Sequence, residues 1–238
     1  MKVYTTDKIR NVVLLGHGGS GKTSLVESMA FLAGMTNRLG KVSDGNTISD
    51  YDKQEIKRQI SIQTSLIPIP WEDCKINILD TPGSIDFVGE TEEALAAADA
   101  AIIVVSGKNG IESGTKRAWE ACERYHLPRM VFVTEMDVDD ASFRQVVEDL
   151  QGLYGKCIAP FHLPIREEGQ FVGYVNVVQQ RAKRWKDDGT VEKMEVPEYS
   201  KENLSICREA LMESVAETSE EFMDRYFAGE EFSEDEIR

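Results

Sequence analysis

Apolar residues along this chain form short continuous runs that alternate with longer stretches at helical spacing. Asn11–Leu15 is a short apolar run closed by glycines, and Leu25, Val26, Met29 and Leu32 then recur at helical spacing within Thr23–Ala33. That order reads as strand, loop, helix. Thr36–Arg58 is polar, interrupted by Gly40 and Gly45, and has no steady period, so a long surface segment of the functional or mobile kind is expected there. Apolar positions alternate again over Ser61–Ile69 and resume at Ile76–Leu79 after a turn-like Trp71–Lys75, the pattern of a hairpin. Ala100–Val105 and Met130–Val133 are continuous apolar runs, followed by helical segments Ser113–His126 and Ala141–Tyr154. Buried strands alternating with helices predict a parallel sheet covered on both faces.

Beyond about residue 155 the pattern changes. Gln170–Val178 alternates after the turn signal Glu167-Glu168-Gly169, a charged stretch runs to Pro197, and Leu204–Phe227 returns to helical spacing. The expected fold class is α/β: a mixed, mostly parallel sheet with one antiparallel edge strand over residues 1–155, then a smaller α+β subdomain over 156–238.

Composition excludes several classes. With 41% hydrophobic and 29% charged residues among 238, the chain is neither disordered nor fibrous. Its net charge of −15, from 27 Lys+Arg against 42 Asp+Glu, disfavours non-specific adhesion to nucleic acid or anionic membrane. Any phosphate ligand must therefore be held by local geometry. The excess is steepest at the end, where residues 201–238 carry 12 acidic and 4 basic side chains. Four cysteines without a C-x-x-C pair suggest neither a zinc framework nor a redox motif. That cysteine usage fits a reduced, cytoplasmic chain, and with no run approaching a membrane span and no apolar core in Met1–Arg10 it is expected to be neither secreted nor membrane-spanning; a monomer is expected.

Gly16-His17-Gly18-Gly19-Ser20-Gly21-Lys22-Thr23 matches G-x-x-x-x-G-K-[ST] in the context that gives the match meaning, after a predicted strand and opening a predicted helix. The loop amides and helix N-terminus form an anion nest, Lys22 reaches the β and γ phosphates, and Ser24 extends the loop's set of nucleotide-binding residues. Asp80-Thr81-Pro82-Gly83 is D-x-x-G at the carboxyl end of an apolar strand, where ligands sit in open α/β sheets. Asp80 would hold a Mg²⁺-bound water, Thr23 would ligate the metal, and the Gly83 amide could approach the γ-phosphate. His17 reads as a loop-packing residue rather than a catalyst. Trp119 and Trp185 read as packing residues, with no basic patch interleaved.

These motifs and the Asp80–Phe87 run D-T-P-G-S-I-D-F resemble the GTPase domain of translational GTPases of the elongation factor G kind. Gln54–Ile62 is similar to that family's switch I, which ends in R-G-I-T-I, and Arg129–Asp140 stands where its P-R-x-x-F-V-N-K-M-D base-recognition strand would be. Val196-Pro197 and Glu209–Ile237 resemble the insert subdomain particular to elongation factor G. The resemblance implies GTP and GDP as ligands, Mg²⁺ as cofactor, and hydrolysis coupled to ribosomal translocation in an intact factor. It also implies the ribosome as partner and no membrane role; the acidic tail reads as a solvated helix face, for which the resemblance offers docking of the ribosomal stalk as the alternative.

Departures from the family pattern shape these expectations. The switch I threonine that ligates Mg²⁺ falls on Ser61, which keeps the hydroxyl, and the family's glycine falls on Gln59. The water-positioning histidine after D-T-P-G falls on Ser84, which is shorter and offers no basic nitrogen. Lys22, Gly83 and Ser84 are thus the catalytic candidates. In the base-recognition motif Asn and Lys become Thr134 and Glu135, while Met136 and Asp137 remain. A phosphate-loop position commonly Asp in these factors is Gly19. The family's final guanine-reading loop and ribosome-engaging domains would lie beyond Arg238, so a fragment is expected. Two rival readings are a nucleotide-gated binding module that hydrolyses little, and a P-loop ATPase or kinase, against which D-T-P-G and Asp137 count.

Overall fold

A computed structural model describes residues 3–186 and 190–237, in two compact units, Met1–Glu135 and Met136–Arg238. The first is a five-stranded sheet of order β2-β3-β1-β4-β5, built from β1 (Ile9–Gly16), β2 (Ser65–Trp71), β3 (Cys74–Asp80), β4 (Ala100–Ser106) and β5 (Arg129–Thr134). All neighbours run parallel except β2, an edge strand antiparallel to β3 with Ile67 opposite Ile78. Successive strand residues face opposite sides, so β1 fills two cores. Leu14 packs with Val26 of α1 (Lys22–Leu32), Ile67, Ile69, Ile78, Ile102 and Val104. Val13 and Leu15 are buried on the face that α3 (Val88–Ala97) and α4 (Ser113–Tyr125) cover.

The polar segment expected to be loop contains a short helix, α2 (Lys53–Arg58). Six residues are too few to show a period, but Asp52 and Glu55 close a capping box, Asp52 accepting from the Gln54 amide at 2.7 Å and Glu55 from the Asp52 amide at 3.1 Å. The edge strand starts at Ser65 rather than near Ser61. The Ile62 and Gln63 amides donate to the Glu55 carboxylate and the Thr64 amide to Glu90, so these residues have no donors left for a ladder. Helix α3 went unread because its buried side chains are only Ala94 and Leu95.

In the second unit, α5 (Phe143–Tyr154) precedes an antiparallel meander of β6 (His162–Glu167), β7 (Gln170–Asn176), β8 (Arg181–Trp185) and β9 (Val191–Met194). Helices α6 (Glu198–Ala216), α7 (Glu220–Phe227) and α8 (Glu234–Ile237) follow. Leu163, Ile165, Val175, Val177 and Ala182 pack against Leu204 and Leu211 of α6, with Phe143 of α5 against the same cluster. Helix α5 thus lies in the same compact unit as the meander. The charged stretch hides β8, in which buried Ala182 alternates with outward Arg181 and Lys183; its residues 187–189 lie outside the described set. One helical pattern over Leu204–Phe227 proves to be two helices, because Ser219 caps α7 by accepting from the Phe222 amide at 3.1 Å. Trp185 packs edge-on to Phe171, and Trp119 lies beneath the Arg129 guanidinium. No helix among the described residues is long and apolar enough to cross a membrane.

Candidate functional site

Sheet topology places the carboxyl ends of β1 and β3 side by side, with Leu14 opposite Asp80. The glycine-rich loop leaves β1 there and turns into α1 through Gly21, whose φ of +91° is easily reached only without a side chain. Gly18 and Gly19 stand exposed at the loop tip, Ser24 is exposed in the first turn of α1, and Ser20, Lys22 and Thr23 are buried. First-turn amides lack intrahelical partners, so they are available to an anion. Gly83 meets this loop so closely that a Cβ on it would lie 2.6 Å from the Gly18 amide nitrogen and 2.7 Å from Lys22 Nζ.

Lys22 Nζ donates to the carbonyls of His17 at 2.9 Å and Gly16 at 3.2 Å. Burial lowers its pKa from 10.5 to about 8, against the pull of Asp80, Asp50 and Glu112. Thr23 Oγ1 donates to Asp80 Oδ2 at 3.0 Å and lies 3.3 Å from Ser61 Oγ. Asp80 is 1% exposed, and burial lifts its pKa to about 6 although the Ser49 hydroxyl, Lys22 and Thr23 favour the carboxylate. Among the described residues no hydrogen bond of good geometry reaches Asp80 Oδ1, and Ser20 Oγ and Ser49 Oγ are likewise buried without one. Thr23 Oγ1 thus has Asp80 Oδ2 and Ser61 Oγ within 3.3 Å, and the second oxygen of the same buried carboxylate is unpartnered, a hard-oxygen set that fits a small divalent cation such as Mg²⁺.

The remaining candidates sit in distinct environments. His17 Nδ1 accepts from the Gly114 amide at 3.3 Å and Nε2 lies 3.5 Å from Glu112, so this ring is held against the start of α4. Ser84 caps a 3-10 turn, accepting from the Asp86 amide at 3.3 Å and donating to the Asp86 carboxylate at 3.2 Å. Thr134 Oγ1 donates to the Ser20 carbonyl at 2.7 Å and packs on Gly21, bracing the phosphate loop from β5. Glu135, at φ +54°, accepts from the Ser106 hydroxyl. Asp137 belongs to the second unit; it is exposed, and its carboxylate takes no hydrogen bond from the described residues.

Asp50 and Glu55 escaped the sequence reading. Asp50 is buried, which raises its pKa, and interacts with Ser61 and Lys22. Glu55 accepts from the Ile62 and Gln63 amides at 2.9 and 3.1 Å, just past Ser61. The D-x-x-E of Asp52–Glu55 was the signal that could have revealed α2.

A glycine loop opening a helix, with an aspartate at the end of the neighbouring strand of a mostly parallel sheet, defines a P-loop nucleotide-binding domain of the GTPase type. The chain belongs to the elongation factor Tu GTP binding domain family, whose model matches residues 7–228. It is similar to elongation factor G of Thermotoga petrophila, at 37% identity over 234 residues, which is 98% of this chain and 34% of that protein. Elongation factor G of Thermotoga maritima is 36% identical over the same length and shares. A crystal structure of a Thermus thermophilus protein matches with a TM-score of 0.90 at 37% identity, covering 97% of this chain and 34% of that one. The chain thus spans about a third of the length of these relatives.

Proposed function

We propose that this chain binds Mg-GTP and Mg-GDP and, within a longer elongation factor G-like protein, hydrolyses GTP in step with ribosomal translocation. The observation that carries this reading is the juxtaposition of Thr23, Ser61 and the buried, half-partnered Asp80 beside Lys22. Lys22 would exchange its two loop carbonyls for phosphate oxygens, and the amides of Gly18, Gly19, Ser20, Gly21 and Thr23 would surround the anion. Thr23 and Ser61 would hold Mg²⁺ directly and Asp80 through water; the ion, when bound, neutralises charge between the phosphates. The Gly83 amide would approach the terminal phosphate, and Asp137 would read guanine by accepting its N1 and 2-amino hydrogens.

The ribosome is the partner of the longer factor, with the acidic helices α6 and α7 a docking face for its stalk protein and the cytoplasm its site of action. The test is titration of the chain and of Lys22→Ala with labelled GTP, with and without Mg²⁺. Affinity should depend on both, and an unchanged affinity in Lys22→Ala would overturn the phosphate-loop reading. A second reading, a nucleotide-gated module with little hydrolysis, is favoured by Ser84, whose hydroxyl is engaged by Asp86.

A further inference from the structure

We infer that Arg166 is a positioning residue for base recognition, its guanidinium on the antiparallel sheet fixing the backbone on both sides of Asp137. Arg166 stands where the β6–β7 register shifts, between the pairs Ile165–Gly173 and Arg166–Phe171, opposite the extra residue of β7. Its Nη2 donates to the carbonyls of Met136 at 2.9 Å and Val138 at 2.8 Å, and its Nη1 to that of Ala141 at 3.0 Å. One nitrogen therefore ties the carbonyls one residue before and one residue after Asp137.

An arginine inside a protein ordinarily pairs with a carboxylate. Among the described residues no carboxylate lies within ion-pair distance of Arg166, and its buried Nε has no acceptor, so the loop carbonyls are what the cation serves. Behind it the Tyr199 hydroxyl of α6 donates to the Arg166 carbonyl at 3.1 Å, anchoring the strand. Asp137 is exposed and takes no hydrogen bond from the described residues, so the backbone beneath it sets where its carboxylate points. A lysine at 166 would keep the charge but lose the planar fork that holds three acceptors in fixed relation.

This inference rests on the base-reading role proposed for Asp137, and the experiment separates the two. The full 238-residue chain and its variants are titrated calorimetrically with Mg-GDP and Mg-ADP. Arg166→Ala should raise the GDP dissociation constant about tenfold, the equivalent of one well-placed hydrogen bond, while ADP binding stays within about twofold. Unchanged ADP binding also shows that the phosphate loop is folded. Arg166→Lys should lose part of the same preference, and the double variant with Asp137→Ala should be no worse than Asp137→Ala alone. An Arg166→Lys chain identical to wild type, equal losses for GDP and ADP, or additive losses in the double variant would each overturn the positioning role. If Asp137→Ala leaves the GDP-to-ADP ratio unchanged, the base-reading role itself falls, and this inference with it.

Discussion

Replacing Asp80 by Asn should stabilise the nucleotide-free chain and abolish its response to Mg-GTP. Burial moves the Asp80 pKa from 3.8 to about 6, so the folded chain holds this proton more tightly than the unfolded one. The group's contribution to stability is therefore fully present below about pH 3.8 and is lost as pH rises through about 6. At neutral pH the ionised carboxylate costs about 3 kcal/mol, taking 1.36 kcal/mol for each tenfold change in proton affinity. Asn keeps the shape and removes the charge. The relief is incomplete, because Asp80 is the foremost acidic group supporting the buried Lys22 cation. A net gain of about 1–2 kcal/mol at pH 7 is expected. Urea unfolding at several pH values between 4 and 7.5, with and without Mg-GTP, measures it. The difference between variant and wild type should grow with pH through that window, and Mg-GTP should stabilise only the wild type. An Asn variant less stable at pH 7 with a wild-type pH slope, or equal stabilisation of both by Mg-GTP, would refute the reasoning.

Thr134→Val removes the hydroxyl that braces the Ser20 carbonyl; about 1 kcal/mol of stability should go and Mg-GDP should dissociate faster in stopped flow, whereas an unaltered off-rate would deny the brace a role. Glu55→Gln leaves the Ile62 and Gln63 amides with a neutral acceptor, so their hydrogen-exchange protection should fall roughly tenfold while the β1 and β4 amides keep theirs; equal loss throughout would mean global destabilisation instead. Turnover of GTP by the isolated chain should sit at the detection limit, since one positioned group is worth about 10²–10⁴ in rate and Ser84 is engaged by Asp86. Robust turnover without ribosomes would contradict that.

Motifs whose spacing follows from the ligand were legible before any coordinates. The phosphate loop and D-x-x-G must lie at strand ends to meet one phosphate chain, and β1 and β3 deliver them there as parallel neighbours. The antiparallel edge strand was equally readable, because the alternation of Ile67 and Ile69 faces a core on one side only. Elements held by polar groups rather than apolar periodicity were not. Helix α2 depends on the Asp52–Glu55 box, and the loop after it on a carboxylate that reads as a surface charge until the fold buries it. Strand β8 escaped because its one fully buried residue is an alanine among basic side chains. The bond from Thr134 to the Ser20 carbonyl had no signal in the sequence, because it joins residues far apart along the chain.

The charges around Lys22 explain why a phosphate ligand and a cation belong together in so acidic a protein. Asp80, Asp50 and Glu112 all act on this ammonium, and burial has still lowered its pKa to about 8, so it is an imperfectly satisfied cation among carboxylates. A bare nucleoside triphosphate arriving there would gain one cation and the loop dipoles but would bring its charge against buried Asp80 and Asp50. A divalent cation bound with the nucleotide, as proposed, would turn that repulsion into attraction, and a water on the ion would give Asp80 Oδ1 a donor. On the proposed reading, the same carboxylates that disfavour the bare anion would favour the metal complex over it. The cost of burying Asp80 and Asp50 in the nucleotide-free chain would then be recovered in part on binding, which links stability to occupancy.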